Sequence, residues 1–260
     1  MKFTRHPSIS VILTTHDRPS LLSRSLDSLI SQSYLDFEII LCADESEKET
    51  MKIATHFLRS NDSFISSPHI IGPAESRNVG VSLARGQWIC FLDDDDSFDS
   101  NYFENFIKTP KEADKIYFGN YSKLHETRDN NGISIQNSEQ ILIAEKSSDE
   151  IYIGNFIPIN TIFIPRNTAK QYSFDINLES HEDWDYLICL KYNNHEILGL
   201  PNLTGANVHF SQDKSRNKNN SISLDFLSIY RKWPSSNSMI QNARAIVLNQ
   251  WGLNIPELFL

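Results

Sequence analysis

Short runs of apolar, β-branched residues alternate with longer amphipathic stretches over the first hundred residues of the chain. Ser8–Thr15 is the first such run, and it is long enough for a buried strand but too short for a helix. Apolar residues then recur on one helical face after Pro19, a residue that suits the first turn of a helix. The same pattern predicts further strands over Phe37–Ala43, within Phe64–Ile71 and over Trp88–Leu92, and a helix over Ala74–Ala84.

This alternation predicts an α/β fold in which helices cover a mostly parallel sheet. In such sheets, ligands bind at the carboxyl ends of the strands. Polar side chains occur at those positions here. Thr15 and Asp17 follow the first strand, Asp44 follows the second, and the run Asp93–Asp96 follows the strand that ends at Leu92. We therefore expect one acidic site at this edge of the sheet.

The pattern after Asp96 is weaker and predicts less regular structure. A polar stretch over Leu124–Gln140 is typical of turns, and Ser211–Ser223 is typical of a polar loop that carries Lys214, Arg216 and Lys218. The other predicted elements are a helix from Tyr102, a strand over Lys115–Tyr121, extended chain over Ile151–Pro165, and helices over His181–Tyr192, Leu224–Trp233 and Met239–Trp251.

Length and charge limit the class of protein. The 260 residues suit one large α/β domain or two fused lobes. The net charge of −9 argues against nucleic acid as a partner and does not favour a membrane surface, although a local patch could still dock on one. The three cysteines lie far apart in apolar runs, which indicates buried, reduced thiols and a cytoplasmic protein. No apolar stretch has the length expected of a signal peptide or a membrane span.

The run Asp93–Asp96 is the first candidate for chemistry. Four neighbouring carboxylates repel one another, and a divalent cation such as Mn²⁺ or Mg²⁺ would cancel that repulsion. A cation held there could position a nucleoside diphosphate and stabilise its charge as it departs. The alternative is a solvated acidic turn that caps a helix. The direct delivery of the run by an apolar strand favours the metal site.

The second acidic group lies in the sequence HEDWDY. A carboxylate such as Asp183 could take a proton from a hydroxyl group, while acids at the start of a helix are also ordinary partners of the helix dipole. Trp184 could stack on a sugar ring or pack in the core. His209 follows a strand-like segment, and a lone histidine of this kind is more often structural than a ligand.

Several of these segments resemble family 2 glycosyltransferases, which have the GT-A fold. FLDDDD, preceded by NVGVSLARGQWIC, resembles the DXD region of that family, and SISVILTTHDRP and DFEIILCADES resemble its first two strands. HEDWDYLICL is similar to its Glu-Asp catalytic motif. The resemblance covers about the first hundred residues and the segment from His181 to Leu190. It implies an inverting, metal-dependent enzyme with a nucleotide-sugar donor.

The resemblance also implies roles for individual residues. Asp183 matches the general base, and Asp95 matches the principal metal ligand, with His209 as a second ligand in some members of the family. The nucleotide would be bound by Thr15, Asp17, Asp44, Arg77 and Asp93 or Asp94, while Glu182 and Trp184 would contact or support the acceptor.

The expected function is therefore transfer of a sugar, from a UDP-sugar in our interpretation, to a hydroxyl of a glycan or lipid-linked acceptor in bacterial surface polysaccharide synthesis. Residues 1–105 would bind the donor, 106–215 the acceptor, and 216–260 would form a loop and helices. Peripheral membrane contact and pairing of two subunits stay open. The alternatives are a catalytically silent nucleotide-binding scaffold and a sugar nucleotidyltransferase. The second is disfavoured because TTHDRPS lacks the glycine-rich loop that it needs.

Overall fold

A computed structural model describes residues 6–16, 18–43, 48–70, 72–129, 132–178, 180–211 and 222–256. In its first half, strands and helices alternate as the sequence predicts, and the predicted strand over Phe37–Ala43 has the observed bounds. The elements are β1 (Ile9–Thr15), α1 (Pro19–Ile30), β2 (Phe37–Ala43), α2 (Lys48–Phe57), β3 (Ser63–Ser66), α3 (Gly72–Leu83) and β4 (Trp88–Asp93).

The described part of the second half contains strands of 2 to 10 residues and, near its end, helices of 11 to 13 residues. Two single turns of 3₁₀-helix, Ser148–Tyr152 and Ile159–Thr161, lie between its strands. The elements are β5 (Ser97–Phe98), α4 (Tyr102–Lys108), β6 (Ile116–Gly119), β7 (Tyr121–Asp129), β8 (Gly132–Ile141), β9 (Ile162–Pro165), α5 (Arg166–Ala169), α6 (Glu182–Tyr192), β10 (Ile197–Leu200), β11 (Ala206–Ser211), α7 (Ile222–Lys232) and α8 (Ser238–Gln250).

The central sheet has the strand order β10-β6-β9-β4-β1-β2-β3. Every adjacent pair is parallel except the two that β9 makes with β4 and β6. The register pairs Thr14 on β1 with Asp93 on β4, so the polar ends of these two strands lie side by side. The predicted α/β fold with a mostly parallel sheet is confirmed.

The two faces of this sheet are covered by separate apolar cores. On β1, Val11 and Leu13 belong to the core beneath α1, whereas Ile12 belongs to the core beneath α3. This alternation follows the two-residue period of a strand. Gly80 lets α3 approach β1 closely, because a Cβ there would lie 2.5 Å from Cγ2 of Ile12. The close approach brings Arg77, about one helical turn earlier, to the carboxyl end of the sheet.

The expectation that Leu124–Gln140 forms turns was wrong. The segment lies in a hairpin of β7 and β8, and the hairpin belongs to a second sheet with the order β5-β11-β7-β8. The residues of β8 are exposed along almost its whole length. Because neither face of β8 is covered, the sequence has no need of the alternating apolar pattern that predicts a strand. The extended prediction for Ile151–Pro165 holds only in part, because a strand forms only from Ile162.

The C-terminal helices pack on the core, as the amphipathic pattern predicts. Tyr230 on α7 and Leu248 on α8 are fully buried. The guanidinium of Arg244 is buried between them and donates hydrogen bonds to the backbone oxygens of Tyr152 (2.7 Å) and Trp233 (2.9 Å). Among the described residues, no helix combines the length and apolar character needed to cross a membrane. The predicted loop with Lys214, Arg216 and Lys218 lies outside the described residues.

Candidate active site

The acidic run at the end of β4 divides between a cavity and the protein interior. Asp93 and Asp95 line a cavity of about 410 Å³ whose wall also contains Thr15, Arg18 and Arg77. Asp94 points the other way and is fully buried. Neighbouring residues at a strand end face opposite sides, so Asp93 and Asp95 face the cavity while Asp94 faces the interior.

Asp94 anchors the loop that follows β1. Its carboxylate accepts a hydrogen bond from Thr15 Oγ1 (2.8 Å), and the Arg18 guanidinium contacts both of its oxygens, with Nη2 2.5 Å from Oδ1 and Nε 3.2 Å from Oδ2. Burial raises the pKa of Asp94 to about 6, although Arg18 and Thr15 act in the opposite direction. The buried Asp94 side chain therefore fixes Thr15 and Arg18 against the end of β4.

Arg77 links the acidic run to the second acidic group. Its buried guanidinium donates to Asp93 Oδ1 (2.9 Å) and to Glu182 Oε1 (2.5 Å). Burial alone would raise the pKa of Asp93, but the charge and hydrogen bond of Arg77 lower it. Burial likewise favours the neutral form of Arg77, yet the two carboxylates raise its pKa. The bridge joins the end of β4 to the start of α6, two segments far apart in the sequence.

Asp183 lines a second cavity of about 180 Å³, together with Asp93 and Asp95. Its Oδ1 accepts hydrogen bonds from the backbone N–H of Trp184 (2.7 Å) and from Asn155 Nδ2 (3.2 Å). Burial and the neighbouring Glu182 carboxylate raise the pKa of Asp183, and Arg77 opposes them. A carboxylate with a raised pKa beside a cavity is suited to accept a proton from a bound molecule.

His209 lines the same second cavity from β11. Its Nδ1 lies 2.9 Å from a Glu126 carboxylate oxygen, and its Nε2 lies 2.9 Å from Ser97 Oγ. Burial and the Arg24 cation lower the pKa of His209, against the effect of Glu126. Since a carboxylate accepts hydrogen bonds, the partners assign the proton to Nδ1 and leave Nε2 to accept the Ser97 hydroxyl.

Asp96 connects the acidic run to the second half of the chain. Its Oδ1 accepts the backbone N–H of His209 (2.9 Å), and its Oδ2 accepts Asn160 Nδ2 (3.1 Å). Asp96 therefore fixes β11 and the second 3₁₀ turn against the end of β4.

The remaining candidates fall in different places. Trp184 is fully buried, donates from its indole N–H to the Ile151 oxygen (2.6 Å) and lines neither cavity, so it supports α6 from the core. Asp17 and Asp44 lie outside the described residues.

Sequence reasoning missed the contacts of Arg18, Arg24, Glu126 and Asn160. Only Arg18 had a local signal, because it closely follows the first strand.

The carboxylate and imidazole groups of the two cavities suit a divalent cation that takes some of its ligands from the protein and the others from a phosphate. Within the described part of the chain, no three histidine, cysteine, aspartate or glutamate side chains form a ready group for a metal ion. Asp93, Asp95 and His209 nevertheless line one small cavity. Mg²⁺ sites commonly use one or two carboxylates and take further ligands from substrate phosphates and water. The residues present therefore fit such an ion.

A mostly parallel sheet with acids at the carboxyl edge of its central strand is the architecture of GT-A glycosyltransferases, and solved structures of that class match it. S. aureus TarS 1–349 in complex with UDP-GlcNAc has a TM-score of 0.68 at 17% identity, covering 95% of this chain and 73% of that chain. The mannosyltransferase PcManGT from Pyrobaculum calidifontis, in complex with GDP-Man and Mn²⁺, has a TM-score of 0.64 at 10% identity, covering 96% and 74%. At these identities the likeness shows the fold.

The family follows from sequence comparison. The model of "Glycosyl transferase family 2" matches residues 10–172, and the chain belongs to that family. It is also 26% identical over 239 residues to the Escherichia coli UDP-Glc:alpha-D-GlcNAc-diphosphoundecaprenol beta-1,3-glucosyltransferase WfgD, covering 91% of this chain and 88% of the relative. The resemblance drawn from the sequence is confirmed, and the activity of the chain is glycosyl transfer.

Proposed function

We propose that this chain transfers a sugar, with inversion, from a UDP-sugar to a hydroxyl group of a lipid-linked glycan in bacterial surface polysaccharide synthesis. The E. coli relative, whose name specifies a UDP-Glc donor and a diphosphoundecaprenol-linked acceptor, supports both substrate classes. Because such an acceptor is held in a membrane, we propose that the protein works as a peripheral enzyme at the cytoplasmic face.

One observation carries the proposal: Asp93 and Asp95 line both cavities, and Asp183 lines the second of them. The first cavity, with Thr15 and Arg77, has the polar and cationic groups that a nucleoside diphosphate needs. The second has a carboxylate with a raised pKa. A donor in the first cavity would therefore present its reactive sugar toward the acid in the second.

On the donor side, we assign the ribose contact to Asp93 and not to Asp94. The Asp93 side chain is 31% exposed, whereas Asp94 is buried and occupied by Thr15 and Arg18. Arg77 stands beside Asp93 and supplies positive charge near the diphosphate. Contacts from Asp17 and Asp44 to the nucleotide stay predictions.

Asp95 and His209 would hold Mn²⁺ or Mg²⁺ together with the diphosphate oxygens. The ion would neutralise the charge that develops on the departing diphosphate. Arg18, which lies 3.4 Å from an Asp95 oxygen, helps to hold that carboxylate in place.

On the acceptor side, Asp183 takes the proton as the acceptor oxygen attacks the anomeric carbon. The new carbon–oxygen bond forms on the face opposite the departing diphosphate, and the bond from the anomeric carbon to the phosphate oxygen breaks. Asn155 and the Trp184 backbone N–H hold one Asp183 oxygen and leave the other for the hydroxyl. Arg77 holds Glu182, the neighbour of Asp183, and so fixes the start of α6.

The test is to incubate the purified protein with UDP-glucose, UDP-GlcNAc or GDP-mannose, with and without an undecaprenyl diphosphate-linked GlcNAc acceptor, and to measure nucleotide release and glycolipid formation. We expect release of UDP that depends on the acceptor. Binding of UDP-sugars without turnover would instead support the scaffold alternative. Failure to bind or turn over any nucleotide sugar would contradict the enzyme proposal.

Metal removal is expected to abolish transfer. After treatment with EDTA, activity should fall to background and return on addition of excess Mn²⁺ or Mg²⁺, because Asp95 and His209 alone cannot neutralise the departing diphosphate. Asp95→Asn should raise the Mn²⁺ concentration needed for half-maximal activity. Full activity in EDTA would show that the acidic run works without a metal.

The pH profile is expected to report Asp183. Its carboxylate must be ionised to accept a proton, so kcat/KM should fall as the pH drops through its pKa, which lies above the ordinary value of 3.8. Since the Glu182 charge contributes to the rise, Glu182→Gln should move the acidic limb of kcat/KM to lower pH. If the acidic limb of kcat/KM does not move in the Glu182→Gln protein, that limb does not report the ionisation of Asp183.

A further inference from the structure

Glu126 forms a buried charged cluster that none of the sequence motifs contains. It lies on β7 in the second sheet, and its side chain is fully buried. One carboxylate oxygen contacts His209 Nδ1 (2.9 Å) and Arg24 Nη1 (2.7 Å), while the other accepts Arg128 Nε (2.6 Å). A buried carboxylate that meets two guanidinium groups and an imidazole is held in one orientation.

Arg24 extends this cluster to the acidic run. Besides its contact with Glu126, the guanidinium of Arg24 donates through Nη2 to the backbone oxygen of Asp95. One planar group on α1 therefore contacts both the residue that holds the His209 ring and the backbone that carries the Asp95 carboxylate. The planar fork of arginine fixes the distance and angle between two such acceptors better than a lysine ammonium does.

We infer that Glu126 and Arg24 are a pair of positioning residues that set the spacing between Asp95 and His209 for a divalent cation. Glu126 retains the proton on Nδ1 of His209, so Nε2 carries the lone pair. That lone pair accepts the Ser97 hydroxyl (2.9 Å) and would bind the ion once this hydroxyl turns away, while Arg24 holds the backbone of Asp95 beside it. The inference rests on the proposed function, because it assigns these residues to the metal site proposed there.

The Glu126 carboxylate has more partners than are needed to compensate its buried negative charge. Arg128 already gives Glu126 a charge-assisted hydrogen bond, so its burial alone needs no contact with the imidazole. Hydrogen bonds from carboxylates to the second nitrogen of a metal-binding histidine orient the ring and raise its basicity, and their loss typically weakens metal affinity about 10- to 100-fold.

The test measures Mn²⁺ binding directly, by electron paramagnetic resonance of free Mn²⁺ titrated into the full chain in the presence of UDP. We expect Glu126→Gln to weaken Mn²⁺ binding about 10- to 100-fold relative to the unmodified protein. The matched control is Glu139→Gln, which makes the same chemical change at an exposed position on the neighbouring strand β8 and should leave the affinity within about twofold.

Two further measurements address folding and the histidine itself. Arg24→Lys keeps the charge but cannot span both acceptors, so it should weaken Mn²⁺ binding while circular dichroism and the melting curve show a folded protein. In ¹⁵N spectra of the metal-free protein, His209 should carry its proton on Nδ1, and Glu126→Gln should shift it toward a mixture of the two forms.

The outcomes separate the two proposals. If the unmodified protein binds no Mn²⁺ with UDP present, the proposed metal site fails, and this inference fails with it. If it binds Mn²⁺ and a folded Glu126→Gln protein binds equally well, the positioning role is wrong while the proposed function stands. Should Glu126→Gln fail to fold, Mn²⁺ binding equal to that of the unmodified protein in folded Arg24→Lys would overturn the inference.

Discussion

Replacing Asp183 by asparagine is expected to lower kcat for sugar transfer about 10²- to 10⁴-fold, the range typical for loss of a general base. Asparagine keeps the size of the side chain, and its oxygen can still accept the hydrogen bonds from Asn155 and from the Trp184 backbone. It cannot take up a proton. The affinity for UDP, measured by isothermal titration calorimetry with Mn²⁺ present, should stay within about twofold, because the donor cavity is unchanged.

Asp185→Asn provides a matched control on the same helical turn. Asp185 accepts hydrogen bonds from Lys232 Nζ (2.9 Å) and Trp233 Nε1 (2.7 Å) and lines neither cavity. Its replacement should lower stability and leave kcat nearly unchanged. Transfer by Asp183→Asn at the full rate would rule out the assigned base.

Arg77→Met is expected to lower the free energy of unfolding by about 3–5 kcal/mol, the range found when one partner of a buried ion pair is removed. The Arg77 side chain is 3% exposed, and its loss leaves Glu182, which is 11% exposed, without its cation. Transfer should be lost as well, since both the donor cavity and the start of α6 depend on this guanidinium. Urea denaturation followed by circular dichroism measures the change in stability.

The control for this prediction is Lys52→Met, which removes a cation from an exposed pair with Glu49 and should change stability by about 0–1 kcal/mol. Adding Glu182→Gln to Arg77→Met should restore part of the lost stability, because one uncompensated charge is then removed. Equal stability of the Arg77→Met and Lys52→Met proteins would show that the bridge does not stabilise the fold.

The first half of the fold could be predicted because its signals are local. A buried strand such as β2 needs apolar residues on both faces, and Phe37–Ala43 displays them without interruption from Ile39 onward. The β8 strand lacks that signal, since its residues are exposed and its order comes from pairing with β7. Pairing of this kind is determined by tertiary contacts, which leave no periodic pattern in the strand itself.

The candidate site could be predicted as a location more readily than as a set of contacts. The strand that ends at Asp93 indicates that acids gather at the edge of the sheet. It does not indicate which of them face the cavity, because that choice depends on Thr15 and Arg18 holding Asp94 inside. The contact of Arg77 with Glu182 joins residues 105 positions apart. No local pattern records such a pair.

The contacts of the acidic run have a consequence for how the chain can be divided. Asp93 is tied through Arg77 to Glu182, and Asp96 is tied directly to Asn160 and His209. A fragment ending near residue 105 would lack three of these six residues, namely Asn160, Glu182 and His209. We therefore expect that residues 1–105, the proposed donor half, do not form this site by themselves. A chimera that exchanges acceptor halves between relatives would have to bring matching residues at positions 160, 182 and 209 with it.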